Sequence, residues 1–129
     1  MIYGHRYRCW KPEGHGRVNL YEAIRGSCNT YFHHLGQQLG IDAIAHYAQM
    51  LGLGEVTRLD IGGEKKGLVP GSRWSLEVRG SPWFPGETIS VAIGQGPILV
   101  TPLQMAELFA TVANGGRHVR PRVALSTPV

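Results

Sequence analysis

The sequence predicts a mainly α-helical fold, on three observations. Apolar residues recur at helical spacing between Tyr31 and Leu51. Two capping-box patterns, Asn19-Leu-Tyr-Glu22 and Thr101-Pro-Leu-Gln104, mark helix starts. Glycines at 26, 40 and 52 fall where successive helical patterns end. With 129 residues, 43% of them hydrophobic and 17% charged, the chain is long enough for one modest core, so one domain or subdomain is expected.

Residues 1–18 are aromatic, basic and glycine-rich without a stable period, and read as an irregular lead-in. The Asn19 side chain can accept from an early backbone N–H while Glu22 reaches back, which starts a short helix to about Arg25, closed by Gly26. From Asn29, Tyr31, Phe32, Leu35 and Leu39 share one face of a second helix that stops at Gly40. Asp42 opens a third, in which Ile41, Ile44, Ala45, Ala48 and Leu51 recur until the Gly52-Leu-Gly54 break. Residues 55–97 are rich in turn dipeptides and predict a long packed loop, with Thr88–Ile93 a short strand or, on so brief a run, a helix. The firmest element follows: Thr101 caps, Pro102 takes the first helical position, and the helix runs to Ala113 before Asn114-Gly115-Gly116. Its apolar residues lie on most sides, which predicts burial on more than one face.

Eighteen glycines and eight prolines without a period exclude a collagen-like or linker-like chain. The start, Met1-Ile-Tyr-Gly-His-Arg6, lacks the apolar stretch of a signal peptide, and no apolar run reaches the roughly 18 residues of a membrane span. The segment itself is therefore expected to be soluble. The formal charge of +4 is dispersed rather than gathered in a stripe, so nucleic acid is not expected as a partner. Cys9 and Cys28 permit one disulfide, two metal ligands or two unrelated thiols, and counting does not choose.

Ser27-Cys28-Asn29 sits just after the Gly26 break, at a junction from which side chains can project into a cleft. A hydroxyl and a carboxamide two residues apart can relay a proton and hold a substrate carbonyl or a neighbouring lysine. Alone, the tripeptide reads equally as a helix cap at Ser27. Its surroundings are more specific. The run Gly14-His-Gly-Arg-Val-Asn-Leu-Tyr-Glu-Ala-Ile-Arg-Gly-Ser-Cys-Asn-Thr-Tyr-Phe32 resembles the segment around the S-x-N motif of the elongation-type class B penicillin-binding proteins. Pro82-Trp-Phe-Pro-Gly-Glu-Thr-Ile89 and Ile93-Gly-Gln-Gly-Pro-Ile-Leu-Val-Thr-Pro-Leu-Gln-Met-Ala106 resemble the same family, in its order.

That resemblance implies an internal part of a peptidoglycan D,D-transpeptidase: the helical subdomain of the α+β penicillin-binding/β-lactamase-like serine acyltransferase fold, residues 1–129 forming part of the transpeptidase domain. It implies a serine acyl-enzyme formed on D-alanyl-D-alanine, inhibition by β-lactams, and roles for Ser27 as proton relay and Asn29 as ligand of the substrate amide. The family's S-x-x-K and K-T-G motifs do not occur here: no serine has lysine three places later, and Lys65-Lys66-Gly67 is not K-T-G. This stretch alone is therefore expected to be inactive. The resemblance further implies a cytoplasmic-membrane anchor, a periplasmic catalytic domain, and a glycan polymerase and elongation machinery as partners. No cofactor is expected for catalysis.

Cys9, His15 and Cys28 are spaced C-x5-H-x12-C, and thiolates with imidazole suit structural zinc. Some members of the resembling family carry zinc in this region, with a ligand from upstream; His5 is the candidate for a fourth ligand within this chain. A disulfide or isolated thiols remain the alternatives, and a non-catalytic, zinc-stabilised helical interaction module is the rival function. Adjacent His33 and His34 must face different directions on a helix, so one is expected buried and the other solvated, neither catalytic. Gly94-Gln-Gly96 lacks the following G-K-[ST] of a phosphate loop. Trp74, Trp83 and Phe84 are expected to pack in the core rather than line a peptide groove.

Overall fold

A computed structural model describes residues 1–124. Its helices are α1 (Leu20–Arg25), α2 (Asn29–Met50), α3 (Ser72–Trp74), α4 (Pro85–Val91) and α5 (Pro102–Ala113), and a π-helical turn, Ser75–Arg79, continues α3. Among the described residues there is no β-strand beyond two isolated antiparallel bridges, Ile2–His5 and Leu68–Leu99. The chain divides into two compact units. One comprises Met1–Ile44 and Pro70–Gly96; the other comprises Ala45–Val69 and the described residues 97–124.

In the first unit, Ile2, Ala23, Cys28, Ile41, Ile89 and Val91 are buried. Helix α1 forms as its sequence predicts: the Asn19 side chain accepts from the Glu22 N–H at 2.9 Å, and the Glu22 carboxylate accepts from the Asn19 N–H. It buries Ala23 alone, and leaves Leu20, Tyr21 and Ile24 exposed. The two helices expected either side of Gly40 are both present within α2 and meet at a kink at Gly40, whose backbone (φ 74°, ψ 166°) is not helical. Glycine adopts that backbone without a Cβ clash, so the first helical segment stops there and the second starts in a new direction. Further along α2, Gly36 lies against Ala92, and a Cβ at Gly36 would sit 2.5 Å from the Ala92 Cβ. Asp42 does not cap its own helix; it accepts hydrogen bonds from the backbone N–H and hydroxyl of Ser72 at the start of α3.

The stretch read as a packed loop contains more helix than expected. Thr88–Ile93 is not a strand: Pro85 opens α4 with its preset φ, Glu87 stands in the first turn, and Thr88, Ile89 and Val91 are buried. The π-helical turn is fixed from outside itself. Buried Ser75 donates its hydroxyl to the Ser81 carbonyl at 2.8 Å. The Arg79 guanidinium lies 4.7 Å from the Trp74 ring and 5.5 Å from the Trp83 ring while donating to Glu87 at 2.9 Å. Trp74 and Trp83 are half-buried as expected, whereas Phe84 is exposed and covers Gly86.

In the second unit the buried set is Ala45, Leu53, Thr57, Gln104 and Thr111. Helix α5 carries the predicted capping box, Thr101 Oγ1 accepting from the Gln104 N–H and Gln104 Oε1 from the Thr101 N–H. The Gln104 amide is nearly inaccessible and donates to the carbonyls of Glu55 (2.7 Å) and Lys66 (2.8 Å), which ties the Glu55–Gly67 loop to the helix. On the far side of α5, Phe109 and Val112 are exposed within this chain. Glu64 organises the same loop by accepting from the Thr57 hydroxyl and N–H and the Leu59 N–H. The Thr57 hydroxyl, against a smaller opposing burial effect, holds its carboxyl below the usual range.

Candidate functional site

Ser27 and Asn29 stand on the turn between α1 and α2. The Gly26 N–H donates to Glu22 O (2.8 Å), Ser27 N–H to Ile24 O (3.1 Å) and Cys28 N–H to Ala23 O (2.9 Å), so the turn closes back onto the end of α1. This closure requires Ser27 at φ 48°, a left-handed conformation that costs a non-glycine residue roughly 1 kcal/mol or more. Ser27 is exposed, Asn29 half-buried and Cys28 buried, so the motif's outer two residues face outward and its middle residue faces in. Buried Cys28 is an anchor for that orientation, and a second comes from Trp10, whose indole N–H donates to Ser27 O at 2.9 Å and Gly26 O at 3.2 Å.

The three residues of the C-x5-H-x12-C pattern meet. The Cys9 and Cys28 sulfurs and a His15 ring nitrogen all lie within 4.8 Å of one another, with Cys9 Sγ 3.5 Å from His15 Nδ1. Burial pushes the Cys9 thiol up, but the backbone N–H groups of Lys11, Asn29 and Thr30 and the Cys28 thiol together outweigh it and hold the thiol below its ordinary value. Two of those N–H groups open α2, whose N-terminus favours a thiolate. Both cysteines are free thiols in this arrangement. The donor set, two sulfurs and an imidazole converging on one point with one thiol disposed to ionise, suits zinc and leaves a position for a further ligand. His5 is not in the cluster. Gly26 gives His15 its place, since a Cβ there would come within 3.2 Å of the His15 ring.

The histidine pair divides as expected: His33 is buried and His34 exposed. Burial, with a smaller repulsion from His34, lowers the His33 pKa, and its Nδ1 has no hydrogen-bond partner among the described residues. It packs on the Tyr7 ring, centroids 5.3 Å apart, away from the motif's outward face. Trp10 is the residue that sequence reading passes over: its contacts with Gly26 and Ser27 cross 16 and 17 positions, and no local pattern announces them.

The family model described as the penicillin binding protein transpeptidase domain matches residues 2–127. Peptidoglycan D,D-transpeptidase MrdA of Acinetobacter baumannii is 46% identical over 123 residues, which cover 95% of this chain and 18% of that protein. Two solved structures superpose with a TM-score of 0.92: Pseudomonas aeruginosa PBP2 in complex with WCK 5153, 41% identical, and Helicobacter pylori PBP2 in complex with MreC, 37% identical. Each alignment covers 97% of this chain, and 27% and 23% respectively of those chains. The chain thus spans less than a third of each protein it matches.

Proposed function

The chain belongs to the penicillin-binding protein transpeptidase family, and from that premise we propose that the protein carrying it is a peptidoglycan D,D-transpeptidase of the elongation type. The observation that carries the reading is the outward-facing Ser27–Asn29 pair on a strained, closed turn, within a stretch that aligns almost throughout with MrdA. The helices described here are read as the helical part of the α+β fold. The S-x-x-K nucleophile and base and the K-T-G strand are assigned to parts of the protein outside these residues.

In this reading the nucleophilic serine attacks the carbonyl between the two terminal D-alanines of a stem peptide. The C–N bond breaks, D-alanine leaves as the free amine, and the acyl group stays as a serine ester. An amine of a second strand then attacks that ester and releases the serine. Ser27 relays the proton that the leaving amine must gain, and the Asn29 carboxamide holds the substrate amide and the base lysine. β-Lactams enter the same first step.

Cys9, His15 and Cys28 would supply three ligands to a structural zinc, with the fourth from elsewhere in the protein. That ion would fix the lead-in against the motif and take no part in the chemistry. The comparisons give no support to a non-catalytic zinc module, since the matching family model and the MrdA relative are both named for transpeptidase activity. No described helix is long and apolar enough to cross a membrane; the anchor, the periplasmic setting, the glycan polymerase and an MreC-like partner belong to the proposal through the family. Covalent labelling of the complete protein by a fluorescent penicillin tests it, with a labelling rate about 100-fold lower expected for Ser27→Ala.

A further inference from the structure

We propose that Trp10 is a positioning residue for Ser27: its indole N–H, shared between the Gly26 and Ser27 carbonyls, holds the left-handed turn that aims the Ser27 hydroxyl. This inference rests on the transpeptidase reading for its catalytic consequence and on geometry for its structural one.

The turn needs an external hold. Gly26 and Ser27 lie past the end of α1 and before α2, where carbonyls have no intrahelical donor, and Ser27 stands at φ 48°, which a serine does not favour. The backbone donors of the turn are already committed to Glu22, Ile24 and Ala23. What reaches the two carbonyls is the Trp10 indole, at 3.2 and 2.9 Å. Packing within this chain does not account for this tryptophan, because 63% of it is exposed. An exposed indole normally donates to water; this one is turned onto the motif. Its ring is set edge-on against His15, centroids 5.5 Å apart and planes at 69°, and its neighbour in sequence is Cys9. The lead-in that carries the sulfur and imidazole cluster therefore also carries the clamp on Ser27.

The test uses the complete protein with Trp10→Phe, and with 3-benzothienylalanine at position 10, which keeps the bicyclic shape and replaces N–H by sulfur. Penicillin acylation is followed to saturation, so that the limiting rate separates from apparent affinity. Loss of a hydrogen bond of this kind is expected to lower the limiting rate about tenfold, with affinity and melting midpoint little changed. On a Ser27→Ala background the same change should have almost no effect. Deuterium exchange of the segment from Ala23 to Thr30 should quicken several-fold in both variants.

A wild-type limiting rate for the benzothienyl variant, or an equal fall on both backgrounds, would overturn the positioning role. Unchanged exchange would overturn the clamp itself. Should the unsubstituted protein take no penicillin label, the transpeptidase reading fails, while the exchange measurement still decides whether Trp10 holds the turn.

Discussion

The Cys9 sulfur lies 3.5 Å from Nδ1 of His15, at the N-terminal end of the helix that carries Asn29. Two soft donors meet here, and the buried Cys28 sulfur completes a set within 4.8 Å. The lead-in that holds Cys9 has little regular structure of its own, so whatever joins these three side chains helps fix where the lead-in sits, together with Tyr7 and Trp10.

Zinc is the expected joint. The complete protein, purified without chelator, should contain about one zinc per chain by elemental analysis. Cys28→Ser should reduce that content well below one equivalent and lower the melting midpoint, as should prolonged chelation. Full metal content in the Cys28→Ser protein, or none in the parent, would dismiss the assignment.

Gly36 tests the packing behind the motif. With a Cβ placed 2.5 Å from that of Ala92, α2 must shift or the contact must open. Gly36→Ala should destabilise by about 1–3 kcal/mol despite alanine's better helix propensity. The double change Gly36→Ala with Ala92→Gly should recover part of the loss. Chemical denaturation of the four proteins measures both effects and their coupling.

Gln104 tests the second unit. It caps α5 and saturates the carbonyls of Glu55 and Lys66 from a nearly inaccessible position. Gln104→Ala should cost roughly 2–4 kcal/mol, since cap and buried amide are lost together. Gln104→Glu should be no milder, because a carboxylate cannot donate to the two carbonyls.

His118 supplies a pH dependence. Its ring meets the Met50 carbonyl at 2.9 Å and the Glu107 carboxylate at 3.3 Å, and these contacts, the Met50 carbonyl foremost, raise its pKa above the ordinary histidine value. A folded pKa above the unfolded one means the folded state binds the proton more tightly. Its stabilisation is then full below about pH 6.5 and is lost as pH rises through the folded value. Melting midpoints measured between pH 5.5 and 8.5 should fall less steeply with pH in His118→Gln than in the parent. Half of the side chain is exposed, so the effect should be small and should shrink in high salt.

Helices α1 and α5 were legible because their signals are local: a capping box needs only residues three positions apart. The break at Gly40 was legible too, because a glycine that ends one helical pattern just before another begins is itself a local signal. In sequence, helix α4 stays undecided between strand and helix because the six residues Thr88–Ile93 have no resolvable period, and its true start, Pro85, lies inside a Pro- and Gly-rich stretch. The π-helical turn was invisible for a different reason. Ser81, Trp83 and Glu87 hold it from further along the chain.

The site divides along the same line. The spacing of Cys9, His15 and Cys28 suggested a cluster, and their atoms converge. Ser27 and Asn29 were singled out through the pattern around them. The backbone strain at Ser27 and the Trp10 contact were not, because nothing in a serine or a distant tryptophan encodes a positive φ.

The central claim is that Ser27 and Asn29 serve a penicillin-sensitive serine transpeptidase. The most direct measurement is the second-order rate of labelling by a fluorescent penicillin, on the complete protein and on its Ser27→Ala and Asn29→Ala variants, all shown to be folded. Covalent labelling of the parent is expected, with a fall of about 100-fold or more in each variant, the scale on which proton-transfer groups act. A folded parent that takes no label, or variants that label at the parent's rate, would contradict the claim.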